Sequence, residues 1–148
     1  LPLWIGGSSD AAIERTAKFA TGWQGSFETP EESRVIVDKI QSAAIKQGRS
    51  IDSDHFGTGF GVRFGSWDEE PVKKMAADFE KRTGKEAVRG FVVGKADEIL
   101  ARIQSYADCG VSKFILRPAG AGDAEMQEQT EQIIEEVLSK ASHLRSTP

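Results

Sequence analysis

Short apolar segments alternate with amphipathic helical segments along this 148-residue chain. Strands are predicted at 2–6, 23–27, 55–64 and 113–118, and a helical segment follows each of them. The last strand, KFILRP, has three consecutive apolar residues, which is typical of burial on both faces of a parallel sheet. Alternation at this spacing predicts an α/β fold with right-handed crossovers. Four such units fit either a small open doubly wound sheet or half of an eight-stranded barrel.

Two of the predicted helices begin at a capping-box pattern. In TPEE, residues 29–32, the threonine is placed to cap the helix, the proline follows at the first helical position, and a glutamate stands three residues after the cap. Ser66 and Glu69 have the same spacing and predict a second helix start. The FVV run within 90–94 is interpreted as a loop lying against the core.

Composition narrows the classes of function. The chain is 39% hydrophobic and 28% charged, as in a soluble globular domain. No apolar run approaches the roughly 20 residues of a membrane span, so no membrane partner is expected. With a net charge of −4 and dispersed basic residues, no nucleic-acid partner is expected either. The single cysteine, Cys109, excludes an internal disulfide and fits a cytoplasmic location.

The first and last residues of the sequence each lead to a prediction. The first residue is Leu1 rather than methionine, and Pro2 already opens a predicted strand. We therefore expect a fragment or a processed product of a longer protein. Residues 143–148 are expected to fray as a short tail.

Four small residues, Gly6, Gly7, Ser8 and Ser9, connect the first predicted strand to the first predicted helix. Backbone amides at a helix N-terminus, together with hydroxyl groups, suit an anion such as a phosphate. An ordinary strand-to-helix turn with a serine cap explains the same residues. Asp10 opposes the anion interpretation, because its carboxylate would repel a phosphate.

Two arginines lie near the carboxyl ends of predicted strands. Arg117 stands near the end of the last strand, and Arg63 near the end of the third. Barrel enzymes place their sites at this edge, and the loops after the last two strands often bind phosphates. Both arginines are therefore candidates for binding a substrate or a phosphate. A structural ion pair with a neighbouring carboxylate is the alternative for each.

Other chemical patterns are weaker. Asp52, Asp54 and His55 form a local cluster, but adjacent loop residues of this kind are usually solvated, so no metal site is predicted. The glycines within 57–61 lack the spacing of a dinucleotide-binding loop, and close backbone packing explains them better. No serine–histidine–aspartate or cysteine–histidine pair is evident, so no catalytic residue is assigned.

Two blocks of sequence carry a family resemblance. Residues 2–23, PLWIGGSSDAAIERTAKFATGW, resemble the luciferase-like monooxygenase family, whose members use flavin or a deazaflavin. Residues 93–118, VGKADEILARIQSYADCGVSKFILRP, are similar to that family's closing helix and strand. The resemblance extends over most of 2–140. It departs from the family at 20–21, where an acidic residue is usual before Gly-Trp, and at 95–96, where Thr-Pro is usual.

The resemblance implies a TIM (β/α)8 barrel about twice this length, with residues 1–142 as its C-terminal part, about strands five to eight. It implies a flavin-dependent oxidoreductase or monooxygenase that uses FMN or a deazaflavin relative and a small-molecule substrate. Gly6, Gly7, Ser8 and Ser9 match the turn that holds the cofactor phosphate in that family.

Much of the ring and substrate pocket would then belong to earlier strands. Expected partners are accordingly the missing N-terminal half or a second copy of the chain. Two alternatives stay open. One is a non-catalytic half-barrel that self-associates through unpaired sheet edges. The other is an unrelated phosphate-binding barrel enzyme.

Overall fold

A computed structural model describes residues 1–141. Strands and helices alternate as predicted: β1 (Trp4–Gly6), α1 (Asp10–Phe19), β2 (Gly22–Gln24), α2 (Pro30–Lys46), β3 (Phe56–Phe64), α3 (Glu70–Thr83), β4 (Phe91–Gly94), α4 (Ala96–Ala107), β5 (Lys113–Pro118) and α5 (Asp123–Gln132). A π-helical segment, Ile133–Leu138, and a short helix α6, Ser139–Ala141, follow α5. The tail predicted at 143–148 lies outside the described residues.

The five strands form a parallel sheet, which confirms the predicted α/β class. Its strand order is β1-β2-β3-β4, and β5 pairs with β3. Within the part of the chain that the structure describes, β1 pairs with β2 alone and β5 with β3 alone. A parallel pair needs a crossover connection, and α1 and α2 supply the first two.

The interpretation of the FVV run as a loop is wrong, because this run forms strand β4. It pairs in parallel with β3, from Gly61 opposite Phe91 to Phe64 opposite Gly94. A Cβ atom on Gly61 would collide with the ring of Phe91, so a glycine is needed where this ring lies against β3. Close packing of the β3 glycines is thereby confirmed at this position. The run was too short and too rich in flanking glycine to indicate a strand by its pattern alone.

The described chain divides into two compact units. The first contains 1–59 and 105–115, and its core surrounds Trp23 and Phe56, which are both fully buried. Helix α1 buries one face, and the end of this helix is closed by Arg49, whose guanidinium donates to the carbonyl oxygens of Ala17 and Ala20. These contacts satisfy carbonyl groups that a helix terminus leaves without intrahelical donors.

The second unit contains 60–104 and the described residues from 116 onward. Helix α3 buries Val72 and Phe79, and the Phe79 ring meets the Phe91 ring edge-on at 5.4 Å between centroids. The capping box predicted at Ser66 forms only in part: the Ser66 N–H donates to a Glu69 side-chain oxygen at 2.7 Å, but the Glu69 N–H donates to the Ser66 carbonyl oxygen at 3.2 Å and not to its hydroxyl. The Ser66 hydroxyl accepts a hydrogen bond from the backbone N–H of Asp68 at 3.2 Å, and the helix begins only at Glu70.

The last helical segment buries only some of its apolar side chains. Ile133 and Val137 are buried, whereas Ile134 and Leu138 are 54% and 52% exposed. These residues lie in the π-helical segment, whose wider i to i+5 turn rotates side chains away from the positions that α-helical spacing predicts.

Candidate functional site

The turn after β1 requires glycine at its centre. Gly7 has φ +102°, a region that residues with a side chain rarely adopt, and a Cβ atom there would lie 3.2 Å from the Cβ of Ala12. Ser9 then caps α1: its Oγ accepts a hydrogen bond from the Ala12 N–H at 3.3 Å. The strand, the glycine and the cap therefore fold as the sequence pattern predicts.

Trp23 holds this turn from the neighbouring strand. Its indole Nε1 donates to the Gly7 carbonyl oxygen at 2.9 Å, and the side chain is fully buried. Sequence reasoning missed this contact. The register of the parallel pair, with Ile5 opposite Trp23, is the signal that places the indole near the end of β1.

The turn is exposed along Gly6, Gly7, Ser8 and Ser9. The first amides of α1 follow it, and the initial N–H groups of any helix lack intrahelical acceptors. Asp10, which opposed an anion here, lies 3.4 Å from the Lys39 ammonium, and its carboxylate is 92% exposed. Solvent and this lysine both weaken its repulsion of an anion. The turn thus offers backbone and hydroxyl donors with little opposing charge.

Arg63 lies in a different electrostatic setting, in the second unit. It is only 7% exposed, although it is charged. Its Nη2 lies 2.9 Å from an oxygen of Glu69 and 2.7 Å from an oxygen of Glu125, and its Nη1 donates to the Ala119 carbonyl at 3.0 Å. We call Arg63, Glu69 and Glu125 the Arg63 cluster.

The pKa values in the Arg63 cluster shift as its contacts require. The hydrogen bond from Arg63, followed by one from the Ser66 backbone, lowers the pKa of Glu69. The Ala121 backbone N–H, followed by Arg63, lowers the pKa of Glu125. Burial disfavours the Arg63 cation, but its two carboxylate partners outweigh burial and raise its pKa. All three groups are therefore ionised at neutral pH.

Neither glutamate was predicted from the sequence as a partner of Arg63. Glu125 stands 62 positions from Arg63, and only the fold brings them together. Arg117, the other candidate, is exposed on β5, where residues alternate between more and less exposed positions. The substrate or phosphate role of Arg63 and Arg117 stays a prediction. The turn at 6–9 belongs to the first unit, and both arginines belong to the second.

The Asp52, Asp54 and His55 cluster precedes β3. Its ligand-type atoms lie within 4.8 Å of one another. His55 Nδ1 is 2.7 Å from Asp54 Oδ1, and the Lys113 ammonium is 3.3 Å from Asp54 Oδ2. Hydrogen bonds from Lys113 and then His55 lower the pKa of Asp54. A lysine thus already supplies a cation to this carboxylate.

Solved structures resemble this fold. The coenzyme F420-dependent tetrahydromethanopterin reductase of Methanopyrus kandleri gives a TM-score of 0.65 at 19% identity, over 98% of this chain and 51% of that chain. The monooxygenase RslO1 of Streptomyces bottropensis gives 0.67 at 18% identity, over 93% and 47%. The riboflavin lyase RcaE, solved with modified FMN and riboflavin, gives 0.65 at 16% identity, over 99% and 45%.

These neighbours are luciferase-like enzymes with TIM-barrel folds. This chain has the fold of about half such a barrel. It spans about half the length of the structures it matches. No family model matches the sequence, and no curated protein does either. Among the helices of residues 1–141, none combines the length and apolar character needed to cross a bilayer.

Proposed function

We propose that this chain is the C-terminal part, residues 1–142, of a luciferase-like oxidoreductase that uses FMN or a deazaflavin. In this proposal Gly6, Gly7, Ser8 and Ser9 bind the cofactor phosphate. The observation that carries the proposal is the turn at Gly7, where a side chain is excluded by both φ and the approach of Ala12. Backbone can come close to a ligand at such a position.

The donors of the turn match the chemistry of a phosphate. The amides that open α1 form the positive end of its helix dipole, and Ser8 and Ser9 add hydroxyl groups. The Trp23 indole holds the Gly7 carbonyl and so limits the freedom of the turn before a ligand binds. A bound flavin would supply the redox chemistry, while this chain supplies the binding of its phosphate end.

The choice of cofactor class draws on the neighbours. One is described as F420-dependent, and another was solved with a modified FMN. Since this chain spans about half of their length, the remaining half of a barrel would complete the pocket for the flavin ring and the small-molecule substrate. We place the parent enzyme in the cytoplasm because its one cysteine in this part, Cys109, is a free thiol.

Comparing FMN with riboflavin tests the phosphate site directly. The two flavins share the ring and differ in the phosphate. Quenching of flavin fluorescence on titration with the chain should give at least about tenfold tighter binding of FMN, because charge-assisted hydrogen bonds are about twice as strong as neutral ones. Equal affinities for the two flavins would refute the phosphate role of the turn.

Two helix-cap variants separate ligand binding from helix stability. Ser9→Ala removes a hydroxyl at the turn, and Thr29→Ala removes the cap of α2, whose side chain accepts from Glu32 N–H at 3.2 Å. Ser9→Ala should cost its helix about 0.5–1 kcal/mol and Thr29→Ala about 1–2 kcal/mol, so the control loses at least as much stability. FMN affinity should fall about three- to tenfold in Ser9→Ala, as for the loss of one hydrogen bond, and stay unchanged in Thr29→Ala. An equal loss in both variants would assign the effect to stability.

Self-association is a second candidate function, favoured by the ends of the sheet. Within residues 1–141, β1 and β5 each pair with one strand; Ile115 of β5 is 52% exposed, and Leu3, which directly precedes β1, is 49% exposed. Unpaired strand edges bind other strands readily. Light scattering should show a dimer that Ile115→Lys weakens and Val88→Lys does not, since Val88 is similarly exposed (48%) but lies outside the strands. A monomer at all concentrations would exclude this candidate.

A further inference from the structure

A cavity of about 220 Å³ opens beside Arg63 in the second unit. Its walls come from α3, through Val72 and Met75, from the segment 118–121 after β5, and from Met126 of α5. An apolar cavity of about 150 Å³ is large enough to bind benzene in another protein. The volume here therefore accommodates a molecule with one ring or a short chain.

The walls of this cavity are apolar and adaptable. The described chain has two methionines, Met75 and Met126, and both line it. Each is partly exposed, so their thioether side chains are accessible at the cavity surface. Methionine side chains are flexible and polarisable, and they are frequent at surfaces that bind varied apolar partners.

The charge at the inner end of the cavity opposes an anion. Arg63 is the one ionisable residue among the cavity's described lining residues. Its positive charge is met by both Glu69 and Glu125, so the Arg63 cluster has a formal charge of −1. A phosphate or carboxylate entering here would meet this excess negative charge. An uncharged group is compatible with it.

One donor at this end is unsatisfied. The Arg63 Nε–H is buried and has no hydrogen-bond partner among the described residues. A buried donor without an acceptor is costly. A ligand hydroxyl or carbonyl oxygen that reaches this N–H would satisfy it. The negative charge of Glu69 and Glu125, and not the donor itself, favours an uncharged ligand over an anion.

A second groove, of about 460 Å³, shares Pro71, Met75 and Ala121 with the cavity. Its apolar part lies along α3 against the rings of Phe79 and Phe91. Charged side chains line the rest of this groove, namely Lys74, Asp78 and Arg82. The purely apolar wall is therefore that of the cavity beside Arg63.

We propose that the cavity beside Arg63 binds a small uncharged molecule with an apolar ring or chain. This inference depends on contacts within the second unit alone, and it holds whether or not the turn at Gly6–Ser9 binds a flavin phosphate.

The two methionines make the test specific, because a sample labelled with ¹³C at the methionine methyl groups reports on both walls of the cavity. The signals are assigned with Met75→Leu and Met126→Leu. Titration with benzyl alcohol should shift both methyl signals saturably. Benzoate, which has a similar size and a negative charge, should bind at least fivefold more weakly, and inorganic phosphate should leave both signals in place.

A pair of tryptophan variants supplies the matched control. Ala121→Trp places a large ring in the shared part of the two grooves, and Ala124→Trp places the same ring on an exposed position of α5 outside both. Benzyl alcohol binding should weaken at least tenfold in the first variant and stay unchanged in the second. The inference is overturned if benzyl alcohol causes no saturable shift in the unaltered chain, if benzoate binds as tightly, or if a folded Ala121→Trp binds normally.

Discussion

The turn at Gly6–Ser9 and the Arg63 side chain both lie at the carboxyl end of a strand, yet their exposure and charge differ. The turn consists of exposed backbone and hydroxyl groups without a formal charge of its own. The Arg63 cluster consists of a guanidinium, 7% exposed, with two carboxylates within 3 Å. The first has donors to offer a ligand, whereas the donors of the second are largely occupied.

This difference shows that the formal charge of a residue is a poor guide to what it binds. Arg63 has the positive charge that a phosphate requires, but Glu69 and Glu125 already neutralise it. Gly7 has no side chain, and its backbone conformation favours glycine at this position. The backbone of the turn therefore stays uncovered. The local partners of a residue decide whether its polarity is available to a ligand.

The largest expected effect tests whether Arg63 is structural. Arg63→Met should lower the free energy of unfolding by about 2–3 kcal/mol, because two neighbouring carboxylates lose their cation and a buried donor set is removed. Glu69 and Glu125 keep contact with solvent, which limits the loss. Arg117→Met, at an exposed strand-end arginine, should cost less than about 1 kcal/mol.

Urea denaturation of both variants measures these free energies. Similar losses for Arg63→Met and Arg117→Met would break the contrast between a buried structural arginine and an exposed one.

The turn should be sensitive to a single methyl group. Gly7→Ala combines an unfavourable φ of +102° with a Cβ contact at 3.2 Å, so we expect a loss of about 2 kcal/mol. Gly48→Ala is the control, since Gly48 has φ +69° and no atom near its added Cβ, and it should lose about 1 kcal/mol. Equal losses, measured by thermal denaturation, would show that crowding at Ala12 contributes nothing.

A smaller effect compares the caps of two helices in the first unit. Thr29 and Glu32 form a capping box in which each side chain accepts from the other residue's backbone N–H. Ser9 makes a single capping bond, in which its side chain accepts from the Ala12 N–H. Thr29→Ala should therefore cost about 1–2 kcal/mol and Ser9→Ala about 0.5–1 kcal/mol. Chemical denaturation gives both values. The reverse order would indicate that Ser9 has stabilising contacts beyond its cap.

The smallest effect is a dependence on pH. Glu69 and Glu125 have pKa values below their ordinary 4.5 in the folded chain. Their stabilising contribution is complete above that pH and is lost as the pH falls through the lowered folded values, because the unfolded chain takes up protons first. Unfolding free energy should thus decline below about pH 4.5, and less steeply in Glu69→Gln. An unchanged dependence of the unfolding free energy on pH in Glu69→Gln would contradict the lowered pKa of Glu69. The same measurement on Asp54→Asn gives the contribution of Asp54, whose pKa is also lowered.

Much of the fold could be predicted from periodicity and caps. The Thr29 capping box formed as expected, and β5 has its predicted bounds. The Ser66 box formed only its Glu69 half, because the Ser66 hydroxyl accepts from Asp68 instead, and β4 was missed because four residues carry too little pattern. Such short elements depend on the neighbouring strand that pairs with them.

The sequence by itself determined the parallel α/β architecture and the glycine turn that opens α1, since both depend on local spacing and backbone conformation. Only the tertiary structure decided that Trp23 bonds to the turn and that Glu125 pairs with Arg63. The physical reason is distance along the chain: a hydrogen bond or ion pair between remote residues forms once the fold has brought them together, and no local pattern encodes it.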